Sequence, residues 1–310
     1  MKQLLKNISP FNNRTDMPGV QYIAKKTLAF WFCYIAGLFL AEFLVILLHF
    51  ALGKNMLVGD VFDAQTITLI IYYGYIILIA VTLLYWKLAE KKPLSAMGLT
   101  KQFGSYFIGI GAGILLLAVC VIAILLTGTI KFHGIFENAD IPRILLFVGG
   151  FMIQGAMEEI LCRGFLLHSL KEKVSLPVAV AVSTVMFVLP HWSSLFAEEM
   201  IFGVIGIVNI CLISLIFCLL TIRYKSIWAA CGLHSFWNAI LYSVLGLNLS
   251  GNDETSTAIF NMQSVGKNIC NGGAFGIEAS IVTTAVLTLA VALIGMMGRK
   301  GANFVYQKES

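Results

Sequence analysis

Residues 155–167 read GAMEEILCRGFLL, two adjacent glutamates and an arginine inside an apolar run from about 143 to 169. A run of that length can cross a bilayer, which takes roughly 20 mostly apolar residues. An ionisable side chain at bilayer depth costs at least about 2.5–3.5 kcal/mol on insertion scales. Three in one span therefore need a reason. Glu159 and Arg163 are four residues apart on a helix, share a face and can pair. Glu158 points about 100° away from Glu159, as the helical period requires. One carboxylate is thus neutralised within its own helix, and the other is left to face a cavity.

The rest of the chain has the same membrane character. It is 59% hydrophobic and 12% charged, with a mean hydropathy of +0.88. A soluble domain carries about 25% charged residues. Eight segments are apolar enough to span: roughly 27–52, 66–90, 105–127, 143–169, 175–195, 200–222, 226–246 and 277–298. The expected fold is an all-α integral membrane protein, a bundle of about eight transmembrane helices. Residues 1–26 read as a polar cytosolic N-terminal arm and 27–310 as a single membrane domain. Asn248–Gly276, polar and glycine-rich, reads as an outer surface loop.

Of the 21 Lys and Arg, all but Lys54, Lys131, Arg143 and Lys267 fall on one side when eight helices are threaded. The positive-inside rule then puts both termini in the cytosol, with the cell membrane as the expected location. The net charge of +5 forms no basic stripe interleaved with aromatics, so no nucleic-acid partner is expected. The first residues lack a short apolar stretch with a cleavage site, and no cleaved signal peptide is read. The seven cysteines share no CxxC spacing and suggest neither a zinc ribbon nor a disulfide framework.

Two further spans carry polar groups at helical spacing. Residues 182–192 read VSTVMFVLPHW, with Phe187 one turn before His191 and Pro190 breaking the helix between them. Residues 229–241 read AACGLHSFWNAIL, with His234 and Asn238 on one face. Counted at 1.5 Å per residue, His191 lies about two helical turns from the depth of Glu158, His234 and Asn238, a mismatch that tilt or the Pro190 kink must absorb. Glu42 and Asn209 are isolated polar residues without a partner motif, and His49, His133 and His168 sit near span ends. Gly149, Gly150 and Gly155 suit close helix approach.

EExxxR, FxxxH and HxxxN on three membrane segments resemble the three motifs of the CPBP family, the CAAX prenyl endopeptidases and bacteriocin-processing or immunity (Abi) proteins. Here they are Glu158-Glu159…Arg163, Phe187…His191 and His234…Asn238, in a block of about 150–246; PLSAMGLTK (93–101) resembles the family's lead-in. The resemblance implies hydrolysis of a peptide bond in a membrane-associated peptide or protein, prenylated or leader/bacteriocin-like, with the lipid bilayer as surroundings. Two mechanisms are compatible with it. In one, Glu158 and His191 activate a water, His234 and Asn238 stabilise the oxyanion, Glu159, Arg163 and Phe187 support them, and no cofactor is required. In the other, His191, His234 and Glu158 ligate zinc, although no HExxH motif is present. The alternatives are a proton-coupled transporter, since intramembrane acids and histidines also build relays, and a non-catalytic immunity or scaffold protein.

Overall fold

The computed structural model describes residues 7–197, 199–251 and 258–306. Among the described residues, eight main helices form an all-α membrane bundle. They are α1 (Gly19–Ala51), α2 (Ala64–Tyr85), α3 (Gly104–Leu126), α4 (Ile141–Glu159), α5 (Leu176–Val188), α6 (Met200–Tyr224), α7 (Trp228–Ala239) and α8 (Ile281–Tyr306). Six segments are long and apolar enough to cross a membrane: Gly19–Ala51, Ala64–Glu90, Gly104–Leu126, Ile141–Leu170, Leu176–Leu195 and Met200–Tyr224. The other two are shorter. α7 continues as a π-helical turn through Ile240–Val244, and the apolar part of α8 is Ile281–Met296.

Wide π-helical turns also extend α2 over Trp86–Glu90 and α4 over Ile160–Leu167. The second begins directly after the glutamate pair. π-turns inside α-helices cluster at functional sites because the extra residue re-aims the side chains around it. Here the ring of His168 reaches the carbonyl of Arg163, five residues back, at 2.6 Å.

Small residues bring α7 deep into the bundle. A Cβ on Gly109 of α3 would stand 2.0 Å from the carbonyl oxygen of Ala229, and one on Gly232 would stand 2.1 Å from that of Tyr106. The two helices therefore approach backbone to backbone, as small residues permit in membranes. Gly155 does the same between α4 and α7, where a Cβ would meet the Ser235 hydroxyl at 2.7 Å. The motif-bearing helices are thereby held side by side.

Two features depart from the sequence expectation. α1 starts at Gly19, eight residues before the predicted span, and its lysines are buried instead of solvated. Lys26 pairs with Glu90 at 2.5 Å, with both side chains at most 2% exposed, and Lys25 donates to Asn12 and to the carbonyl of Arg14. The π-turn at Trp86–Glu90 puts Glu90 against α1. The outer segment also has structure of its own. A two-stranded antiparallel sheet joins β1 (Ile130–Ile135) to β2 (Phe260–Ser264), and Leu247, Leu249, Met262 and Ile277 pack with Phe147, Phe151 and Trp237. This segment roofs the bundle.

Removing one partner of a buried ion pair leaves an uncompensated charge and costs on the order of 3–5 kcal/mol. Lys26→Met is therefore expected to lower the melting temperature of the detergent-solubilised protein sharply, and Glu90→Gln added to it to restore most of the loss. An unchanged melting temperature in Lys26→Met would contradict the buried pairing.

Candidate active site

Arg163 is fully buried, and its surroundings explain how it can be. Its Nη1 donates to Glu159 Oε1 at 3.0 Å, and its Nη2 donates to the Ser214 hydroxyl at 2.7 Å and carbonyl at 3.2 Å. Its guanidinium lies 4.3 Å from the ring centroid of Phe187 and 4.9 Å from that of Phe217. Desolvated cation–π contacts of this kind contribute about 2 kcal/mol each. The intrahelical Glu159–Arg163 pair expected from the spacing is present. Phe187, the aromatic residue of the second motif, serves it as one wall.

His234 is the third member of this cluster. Its Nδ1 lies 3.0 Å from Glu159 Oε1; an ionised carboxylate only accepts, so Nδ1 carries the proton. The imidazole stacks on Phe217, with centroids 4.9 Å apart and planes 15° from parallel. Its Nε2 faces Glu158 Oε2 at 3.8 Å. Glu159 thus holds both the arginine and the histidine, and one ring of His234 spans the two glutamates.

Glu158 is placed differently. Gln154, one turn earlier on the same face of α4, donates to its Oε1 at 2.5 Å. Asn238 Nδ2 donates in turn to Gln154 Oε1 at 2.9 Å. Glu158 Oε2 is buried without a protein hydrogen-bond partner. Gln154 carries no motif; its only sequence signal is its i, i+4 spacing to Glu158.

His191 joins the same group because α5 stops at Val188. Leu189–His191 form a tight 3₁₀ turn around Pro190, followed by a short helical turn at Trp192–Leu195. This resolves the mismatch in depth. His191 Nδ1 donates to the carbonyl of Phe187 at 2.9 Å; a carbonyl only accepts, so the neutral ring keeps its lone pair on Nε2.

Two adjoining cavities meet here. The larger, of about 330 Å³, is lined by His191, His234, Asn238 and Gln154, within the size range of ligand sites. The smaller, of about 40 Å³, contains Glu158. Tyr75, Phe187 and His191 line both. Two wall residues of the larger cavity come from unexpected places. Asn209 donates to the carbonyls of Glu278 and Ser280 at 2.9 and 2.8 Å. Glu278, in the turn preceding α8, accepts from the Trp237 indole at 3.2 Å and from the Ser250 amide and hydroxyl at 2.8 and 2.6 Å. Burial pushes its carboxyl above the ordinary range, opposed by these donors and by His191. Glu42, His49, His133 and His168 do not line either cavity.

Residues 140–240 match the type II CAAX prenyl endopeptidase Rce1-like family. The resemblance to the CPBP family read from the three motifs is supported over this segment. No curated protein and no solved structure matches the chain. The Rce1-like segment contains Gln154, Glu158, Glu159, Arg163, Phe187, His191, Phe217, His234 and Asn238. Tyr75, Ser250 and Glu278 are among the cavity residues that lie outside it.

A zinc site would need His191, His234 and Glu158 to converge. Among the described residues no group of three or more His, Cys, Asp or Glu side chains is placed to hold a metal ion. His234 gives Nδ1–H to Glu159 and keeps Nε2 free.

The geometry separates the two glutamates by burial partner. Arg163→Ala is expected to lower the melting temperature by the equivalent of about 3–5 kcal/mol, and Glu159→Gln with Arg163→Gln together to recover much of it. Glu158→Gln should melt like the wild type or higher, because it replaces a half-partnered buried carboxylate with a neutral group. A Glu158→Gln protein that melts well below Glu159→Gln would reverse the two assignments.

Proposed function

We propose that the chain is an intramembrane endopeptidase that hydrolyses a peptide bond of a membrane-associated, prenylated or leader-like peptide by glutamate-activated water. The observation that carries this reading is the small cavity between Glu158 and His191. Its 40 Å³ exceeds the roughly 10–15 Å³ of probe volume that one water needs. Two acceptors converge on it: the unpartnered Oε2 of Glu158 and Nε2 of His191. A water donating to both is polarised on two sides.

In the reaction, the substrate lies in the larger cavity with its scissile carbonyl at the boundary with the smaller. Glu158 takes a proton from the water, and the oxygen attacks the carbonyl carbon. The developing oxyanion is received by Asn238 Nδ2, which has a second hydrogen beyond the one given to Gln154, and by His234 Nε2. To donate from Nε2 while Nδ1–H is held by Glu159, the His234 ring carries both protons, with the two flanking carboxylates as countercharge. Removing one oxyanion donor costs about 10²–10³ in rate in other hydrolases. The oxyanion then re-forms the carbonyl, the C–N bond breaks, and the proton taken by Glu158 passes to the leaving amine, with His191 as the second carrier. Glu159 and Arg163 touch no reacting atom in this scheme; they fix the orientation of His234. The positive-inside bias supports cytosolic termini and the cell membrane as the setting.

Glu158→Gln keeps the shape but cannot accept the proton. Purified wild-type protein is expected to cleave a farnesylated CAAX-type peptide or a leader-like peptide, and Glu158→Gln to lose at least about 10³-fold in kcat, as expected when a general base is removed. Wild-type turnover by Glu158→Gln sinks the assignment. The wild-type assay is repeated with chelator: retained activity is expected, and activity lost with chelator and restored by zinc would replace this mechanism with the metal one.

A further inference from the structure

Glu278 is the carboxylate in the larger cavity that the proposed reaction does not use. It lies outside the matched segment, in the turn Ile277–Ala279 before α8. It is fixed from several directions. Trp237 holds one oxygen, the Ser250 amide and hydroxyl hold the other, and Asn209 clamps the backbone carbonyls of Glu278 and Ser280. All three side-chain contacts come from neutral donors. They orient the carboxylate and supply no countercharge.

No lysine or arginine is among the residues lining this cavity. The titratable groups that share it with Glu278 are Tyr72, Tyr75, His191 and His234, and the two histidines are assigned to the reaction. The Trp237 indole and the Ser250 amide only donate, one to each oxygen, so the tie takes the two acceptor oxygens of a carboxylate. That carboxylate also brings a charge into a ligand cavity with no lysine or arginine to answer it, and such a group is suited to receive a cation. Its position gives that cation an address. Glu278 and Asn238 line the same cavity of about 330 Å³, so Glu278 shares the bound peptide's space with the oxyanion donor. An extended peptide advances about 3.4 Å per residue, which places the cation within a few residues of the cleaved bond.

We propose that Glu278 is a specificity-determining residue that binds a lysine- or arginine-type side chain of the peptide substrate. The inference rests on the endopeptidase reading for the kind of ligand, but binding tests it without any cleavage.

The experiment uses the full-length Glu158→Gln protein in nanodiscs and fluorescein-labelled farnesyl-cysteine peptides. The peptides carry Lys, Gln or Glu in turn at each position flanking the expected cleavage bond. At one position the Lys peptide is expected to bind about tenfold more tightly than the Gln peptide, the ratio given by a charge-assisted contact of about 1.4 kcal/mol. The Glu peptide should bind more weakly than either. Adding Glu278→Gln is expected to abolish the Lys preference while leaving Gln-peptide affinity within about twofold, and Glu278→Asp to retain it. A melting temperature shows whether Glu278→Gln is folded; if it is not, the ranking of Lys, Gln and Glu peptides on the Glu158→Gln protein decides alone. Equal affinities at every position, absence of binding by all peptides, or a Lys preference that survives in folded Glu278→Gln overturns the proposal. Failure of wild-type cleavage with the Lys preference intact would count against the proposed reaction and not against this subsite.

Discussion

The site depends on how a charged arginine is kept inside a bilayer. The idealised cost of moving one such ion into a low-dielectric medium is of order 20 kcal/mol, and several kcal/mol remain after relaxation. Arg163 meets that cost with a carboxylate, a serine and two aromatic faces, supplied by α4, α5 and α6. Once it is held, so is Glu159, and Glu159 in turn fixes His234 through its Nδ1–H. Three helices are registered against α7 by this one group. The FxxxH spacing has a double use here: the Phe187 ring covers the guanidinium, and the Phe187 carbonyl sets the tautomer of His191.

The division of labour between adjacent carboxylates follows from helical geometry. A step of 100° sends Glu159 into the cation cluster and Glu158 onto the Gln154 face, towards the small cavity. Gln154 then links Glu158 to Asn238, so the proposed base and the proposed oxyanion donor share one hydrogen-bonded neighbour. A side chain that donates to one and accepts from the other couples their positions, and a displaced Asn238 would disturb Glu158 as well.

Much of this was legible in the sequence because it rests on local periodicity. The spans are long apolar runs, and the Glu159–Arg163 pair is an i, i+4 relation within one helix. What was not legible depends on contacts between distant segments. Phe217 sits in a span in which nearly every residue is apolar, so nothing marks it as the stacking partner of His234. Asn209 looked isolated because its partners are backbone carbonyls of the turn before α8. Glu278 lay just beyond a long polar segment that read as surface, since no periodic pattern announces a hairpin pairing residues 130–135 with 260–264. Lys26 read as a solvated arm residue because its partner Glu90 is reached through a π-turn, which periodicity at 3.6 residues cannot anticipate. The depth of His191 counted at helical rise left a mismatch for tilt or the Pro190 kink to absorb, and α5 ends at Val188 in a 3₁₀ turn around that proline.

The central claim is that Glu158 and His191 hold the attacking water while His234 and Asn238 receive the oxyanion. The most direct measurement is an experimental structure of the protein with a phosphinic peptide, whose tetrahedral phosphorus carries two oxygens standing for the attacking and carbonyl oxygens. The account predicts one oxygen within hydrogen-bond distance of Glu158 and His191, and the other within that distance of Asn238 Nδ2 and His234 Nε2. A phosphinate bound with its oxygens on Glu159, or liganded to a metal held by His191 and His234, would contradict it.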